Sequence, residues 1–262
     1  MPHSNRFDGE TVVITGVGRP GQVGEAVAAA LAERGARLAL VDRTGATAEA
    51  RAAALRAAGH EARGFAADLT RPADADRVIG EVRDAFGPAL DALVCAAGGF
   101  AATGALDAEA DGEAALAALH GQLAVNLTTA YVATRAALPL LRVRGGRVVY
   151  FASAAALPEG DAAGLAAYAA AKAGVLALMR AVAADERPRD GAGPPDARPG
   201  RGVRAHGVRA NAVAPAAVRT AANVAAMGEG GPYVTREAVA DVVAWLASAA
   251  SAPVTGQVVR LG

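Results

Sequence analysis

The sequence predicts one α/β domain across residues 1–262, a doubly wound parallel sheet of about seven strands with helices on both faces. Three observations predict it. Short apolar runs alternate with alanine-rich helical patterns from end to end, as in chained βαβ units. A glycine-rich turn joins the first run to the first helix, the place where an α/β sheet binds phosphate groups. No repeat or linker divides the chain, and 53% hydrophobic residues supply ample core.

The elements follow in order. Thr11–Thr15 (TVVIT) reads as a buried strand. Val23, Val27, Ala30 and Leu31 recur at helical spacing as far as Gly35, a helix-ending glycine. Residues 37–41 form the second strand, which ends in Asp42, and an alanine-rich helix then runs through Leu55 and stops near Gly59. A strand at 62–66, a helix at 74–86 and a strand at 92–95 come next. A long helical stretch covers 112–141, with an interruption near Gly121. The fifth strand is 147–151, followed by a helix at 165–184, a strand at 208–213, a helix at 236–248 and a short strand at 257–261. Residues 187–207 are rich in Pro, Gly and Arg and read as a solvated insertion between a helix and a strand.

Composition excludes several classes. Basic and acidic residues balance at 26 each, so the surface as a whole is no trap for nucleic acid. Apolar runs of about 18 residues without charge or glycine do not occur, which argues against a membrane span. The polar start MPHSNRFDGE does not read as a signal peptide. The one cysteine, Cys95, cannot form an intrachain disulfide. His3, His60, His120 and His206 show no ligand spacing, so no metal is expected. The expectation is a cytoplasmic protein with a small-molecule ligand.

The rarest residues point to the chemistry. The basic residues are 25 arginines and one lysine, Lys172, and that lysine lies four residues after Tyr168. On a helix this spacing puts phenol and ammonium on one face. A free phenol titrates near pH 10, and a fixed positive charge beside it lowers that value toward the range of a general base. Ser153 follows the fifth strand directly and is the only serine between residues 5 and 247. Its hydroxyl can bond a reacting oxygen. Asn126 stands in a helical pattern that disfavours asparagine, so it either packs or bonds a water or backbone group. Gly16, Gly18, Gly21 and Gly24 fit two glycine spacings of a dinucleotide turn. Asp42 lies 18 residues beyond Gly24, where a carboxylate accepts the ribose hydroxyls of NAD and repels a 2′-phosphate. Arg19 and Arg43 could form a competing phosphate site. Asp68, ending the third strand, could meet an adenine edge or simply terminate the strand.

These segments together resemble the short-chain dehydrogenase/reductase family over nearly the whole chain. The matches are Thr15-Gly16, Asp68-Leu69, Ala97-Gly98 and Val125-Asn126-Leu127, then Ser153 with YAAAK at 168–172. VRANAVAP leading to Thr220, and Val254-Thr255-Gly256-Gln257, complete them. The resemblance implies a Rossmann-type fold and a catalytic tetrad of Asn126, Ser153, Tyr168 and Lys172. It implies hydride transfer between NAD(H), with NADP(H) second, and a secondary alcohol or ketone. Tyr168 would be the general acid or base, Lys172 would also bond the nicotinamide ribose, Ser153 would hold the substrate oxygen, and Asn126 would hold a relay water. Cofactor contacts are implied at Gly16, Gly21, Gln22, Val23, Gly24, Asp42, Arg43, Asp68, Leu69, Ala97 and Gly98. Val218 and Thr220 would hold the carboxamide. A homodimer or homotetramer is also implied. An NADPH-dependent 3-oxoacyl-thioester reductase and a non-catalytic dinucleotide sensor are the alternatives.

The chain departs from the family pattern in five places. The glycine turn is longer than usual by two residues, and Gln22 replaces its middle glycine. Cys95-Ala96-Ala97-Gly98 lacks the usual asparagines, which puts support of the strand in question. Ser153 and Tyr168 are 15 residues apart, a wider gap than is common, which lengthens the substrate loop. Ala216 follows Pro215 where glycine is usual. The segment from Thr220 to the last helix is short and alanine-rich.

Overall fold

The computed structural model describes residues 5–109, 111–187 and 207–262; residues 188–206 of the expected insertion lie outside the described residues. β1 (Thr11–Thr15) leads to α1 (Val23–Glu33), β2 (Arg37–Asp42), α2 (Gly45–Ala57), β3 (Ala62–Ala66), α3 (Pro72–Phe86) and β4 (Ala92–Cys95). α4 (Gly112–Gln122) passes through a π-helical turn, Leu123–Thr128, into α5 (Thr129–Leu141). β5 (Arg147–Phe151), α6 (Ala166–Asp185), β6 (Arg209–Pro215), β7 (Ala217–Val218), α7 (Ala221–Met227), β8 (Tyr233–Val234), α8 (Arg236–Ala247) and β9 (Val258–Leu261) complete the fold.

Seven strands form one sheet in the order β3-β2-β1-β4-β5-β6-β9. Every pairing in it is parallel, so all strand ends of one kind lie along one edge. The chain winds outward from β1 to β3, then returns to the other side of β1 with β4. That reversal opens a crevice at the carboxyl ends of β1 and β4, where ligands bind in sheets of this kind. The central strands are apolar on both faces because helices cover both. Residues of α3, α5 and α6 pack on one face and residues of α1, α2 and α8 on the other.

Local sequence explains most element ends. Gly35 ends α1 with a φ of +89°, a conformation open to glycine, and its N–H bonds the Ala32 carbonyl. α3 starts at Pro72 and buries Ala75, Val78, Ile79, Val82 and Phe86, one helical stripe. α6 has the length and hydropathy of a membrane span, yet Ala167, Ala171, Val175, Leu176, Met179 and Val182 are buried on it and it packs against β5 and β6.

Three expectations change. The interruption near Gly121 is no break but a π turn just beyond it, and the helix axis continues. β6 begins one residue later than expected and runs on to Pro215. The β7–β8 pair, two residues per strand, was not foreseen, since so short a segment carries no periodic signal.

β4 is supported despite its missing asparagines. The Thr15 hydroxyl donates to the Val94 carbonyl (3.4 Å) and accepts from the Ala97 N–H (3.2 Å), stitching β1 to the end of β4.

Leu93 lies at the middle of β4 with no exposure. Leu93→Ala should lower stability by about 2–5 kcal/mol through lost burial and a residual cavity. Val143→Ala, at a position 55% exposed, should stay within about 0.5 kcal/mol. Urea midpoints at constant slope check both.

Candidate active site

The expected catalytic residues converge at the carboxyl ends of β4 and β5. Ser153 stands two residues beyond β5 as the cap of a 3₁₀ turn, Ala154–Ala156, where its Oγ accepts from the Ala155 N–H at 3.3 Å. The same hydroxyl stands beside the Tyr168 phenol, close enough to favour its ionised form. Tyr168 and Lys172 occupy successive turns of α6, as their spacing predicted, with Nζ 5.8 Å from the centre of the phenol ring. Lys172 is 6% exposed and donates to the Phe151 carbonyl at 2.8 Å.

Asn126 lies inside the π turn, 1% exposed. Its Oδ1 accepts from the Gly99 N–H (3.2 Å), and its Nδ2 donates to the Gly99 carbonyl (2.9 Å) and the Gln122 carbonyl (3.2 Å). The amide therefore ties the π turn to the loop after β4, the backbone-bonding outcome of the two left open. Gly98 fits between these groups: a Cβ there would stand 2.6 Å from Asn126 Oδ1 and 3.5 Å from Lys172 Nζ.

Burial sets the electrostatics. It pushes the Tyr168 phenol above its ordinary value, and the Ser153 hydroxyl pulls the other way. The expected net lowering by Lys172 is therefore not what this geometry produces. The reason is that the ammonium is itself desolvated, pushed down to about 8, and is directed at the Phe151 carbonyl. Cys95 is pushed up to about 12 by burial, so it stays a thiol and is no nucleophile.

The crevice also gathers the expected cofactor residues. A Cβ at Gly16 would come within 2.5 Å of Ala97 Cα, so the two strand ends meet backbone to backbone. A side chain at Gly18 would collide with the Asp42 carboxylate, and one at Gly24 with the Gly16 carbonyl. Asp42 Oδ1 accepts from the Thr44 N–H at 3.2 Å. Thr220, buried, caps α7 through Asn223 and lines a cavity with Gly21. Val218 lies in β7, paired with Val234. The close-packed turn and the carboxylate at the end of β2 fit a dinucleotide laid across the strand ends.

The sequence pattern of the short chain dehydrogenase family matches residues 10–190. The chain belongs to this family. The 2-(S)-hydroxypropyl-CoM dehydrogenase 3 of Xanthobacter autotrophicus is 38% identical over 185 residues, 70% of this chain and 68% of that one. The D-threitol dehydrogenase of Mycolicibacterium smegmatis is 35% identical over 181 residues, 69% of this chain and 65% of that one. The chain thus spans about two thirds of the length of these curated relatives. Among solved structures, a gluconate 5-dehydrogenase from Burkholderia cenocepacia J2315, in complex with NADP and tartrate, has a TM-score of 0.81 and 28% identity. That match covers 98% of this chain and 95% of the other. Membership makes this chain an NAD(P)-dependent oxidoreductase of alcohols or ketones.

Against the family pattern, the longer turn has a simple geometry. Gly21 takes the left-handed conformation, φ +76°, which favours glycine, while Gln22 is extended at φ −99° and caps α1. Gln22 thus needs no glycine, and Val23 begins the helix. Asp68 is engaged locally: Oδ1 accepts from the Thr70 N–H (3.0 Å) and hydroxyl (2.7 Å), which hold its carboxyl below the ordinary value. This favours the strand-ending role, with Arg43 nearby and exposed and Leu69 buried beneath.

One residue of this short-chain dehydrogenase escaped the sequence reading. Phe100, 61% exposed, meets the Tyr168 ring edge to face at 5.1 Å. Its loop is fastened to the segment before α6 by the Thr103 N–H bond to the Gly164 carbonyl, 3.1 Å. The signal was available: an apolar aromatic directly after Gly98-Gly99 has no helix or strand to join.

The buried lysine has a stability signature. Its ordinary value of 10.5 falls to about 8 in the fold, so between these limits the unfolded chain binds more protons and stability rises with pH. Relative to Lys172→Met, the wild type should gain stability across that window, by at most about 1.4 kcal/mol per pH unit. Denaturant titrations at pH 7 to 10.5 on both proteins test the sign.

Proposed function

We propose that the protein transfers hydride reversibly between NAD(H) and a secondary alcohol or its ketone, with Tyr168 as general acid and base. The observation that carries the reading is Ser153 beside the Tyr168 phenol at the strand ends, with Lys172 one turn behind on α6 and its Nζ 5.8 Å from the phenol ring. A bound nicotinamide supplies or accepts the hydride, which is the cofactor's chemistry. Ser153 Oγ, steadied by the Ala155 N–H, holds the substrate oxygen. In reduction Tyr168 Oη gives its proton to the carbonyl oxygen, and burial keeps the phenol protonated for that step. In oxidation Tyr168 takes the hydroxyl proton, and the Ser153 hydroxyl beside it favours the phenolate form this requires. Asn126, besides holding Gly99, places a relay water beside Lys172.

On this reading Gly16, Gly21, Gln22, Val23 and Gly24 hold the diphosphate. Asp42 takes the adenosine ribose. Arg43 and Leu69 would border the adenine with Asp68 holding the strand end beside them, Ala97 and Gly98 would contact the second ribose, and Val218 and Thr220 would hold the carboxamide. Phe100 meets the substituent on the reacting carbon. Assembly as a homodimer or homotetramer belongs to the same reading and rests on the family resemblance alone.

Asp42 should make NADH bind at least tenfold more tightly than NADPH, about 1.4 kcal/mol, because a 2′-phosphate beside it loses water and meets like charge. Nicotinamide fluorescence titration decides it, and equal affinities would mean that Arg19 and Arg43 dominate. Lys172→Arg should lose roughly two orders of magnitude in kcat, about 2.7 kcal/mol, and Tyr168→Phe at least as much. The guanidinium keeps the charge but is too wide for a buried site flanked by Gly98 and the Phe151 carbonyl. Steady-state kinetics on folded variants with any turnover alcohol is the measurement. Near wild-type kcat in Lys172→Arg would remove the positional role.

A further inference from the structure

Arg236 opens α8, two residues after β8, and its guanidinium reaches the glycine turn. Its Nη1 lies 3.4 Å from Glu25 Oε2 and 4.0 Å from where a side chain at Gly21 would begin. With Gly21, Arg219 and Thr220 it lines a cavity of about 540 Å³. Glu25, in the first turn of α1, is the hub: Oε2 accepts from the Gly21 N–H at 2.5 Å, and Oε1 pairs with Arg51 of α2 at 2.5 Å.

This arrangement puts a carboxylate on the amide and helix end best suited to an external anion. Glu25 keeps a close partner in Arg51, whose side chain is only 16% exposed, so it does not need Arg236 for compensation. The Arg236 contacts are the loose ones, at 3.4 Å to both Glu25 and Glu237. Arg219, on the same cavity wall, is committed elsewhere, to Glu229 at 2.5 Å and over the Tyr233 ring. A guanidinium with weak partners, facing a cavity beside a glycine turn, is suited to fork onto phosphate oxygens.

We propose that Arg236 is a diphosphate-binding residue held ready by Glu25. On binding, the dinucleotide's diphosphate takes over the Arg236 guanidinium and the Gly21 N–H, while Glu25 remains on Arg51. The inference rests on the dinucleotide reading above and adds to it a residue from α8 and a carboxylate that competes with the ligand.

The two side chains should then act with opposite sign. By fluorescence titration, Arg236→Gln should weaken NADH binding tenfold or more, whereas Glu25→Gln should bind NADH as tightly as wild type or more tightly. By NMR titration, Arg236→Gln should weaken ADP similarly and leave adenosine, which has no phosphate, unchanged. A purely structural cluster would weaken both variants together and would weaken adenosine with NADH. That pattern, or Arg236→Gln binding NADH like wild type, overturns the inference alone. A wild type that binds neither NADH nor NADPH overturns the functional reading and this inference with it.

Discussion

A parallel sheet delivers every strand's carboxyl end to the same edge, and in this chain that edge is sealed at one point by backbone contact between Gly16 and Ala97. The Thr15 hydroxyl reinforces the junction by bonding β4 from β1. Everything chemical is placed relative to it. Asp42 ends β2 on one side, Ser153 follows β5 on the other, and the loop carrying Gly98, Gly99 and Phe100 leaves directly from it. Because β1 and β4 are neighbours only through the reversal in winding order, the crevice is a consequence of topology.

The second constraint is the cost of holding Lys172 in the interior. Burial draws its ammonium down to about 8, and one carbonyl bond from Phe151 offsets part of that desolvation. A side chain chosen for stability at this position would be apolar. The single lysine among 25 arginines thus stands at one of the less favourable places in the fold for a cation, which fits a chemical role better than a structural one. Asn126 shows the same logic: a poor helix former, it sits where the helix widens into a π turn, and both ends of its amide serve the loop after β4.

The longer glycine turn shows how an altered motif keeps its geometry. The left-handed residue is Gly21, and the extra length is secured by Glu25 reaching back to the Gly21 N–H. That solution introduces a negative charge at the start of α1, which Arg51 of α2 compensates at close range, with Arg236 of α8 standing farther off at 3.4 Å. Turn and counter-charges form one unit drawn from α1, α2 and α8.

The strands and most helices were legible in the sequence because periodicity and helix-ending glycines are local properties, decided within a few residues. Ser153, Tyr168 and Lys172 were legible for a different reason: a composition starved of lysine and serine makes their positions stand out. The π turn escaped because widening a helix by one residue per turn leaves the apolar pattern nearly unchanged. β7 and β8 escaped because two residues carry no period. The direction of the Tyr168 shift depended on burial, which a motif does not contain. Phe100 could be seen as an unplaced aromatic, but its edge against Tyr168 required the β4 and β5 loops to be brought together. The meeting of Glu25 with Arg236, 211 residues apart, exists only because α1 packs against α8. Local pattern determines which elements form; the contacts between their side chains are decided by how those elements pack.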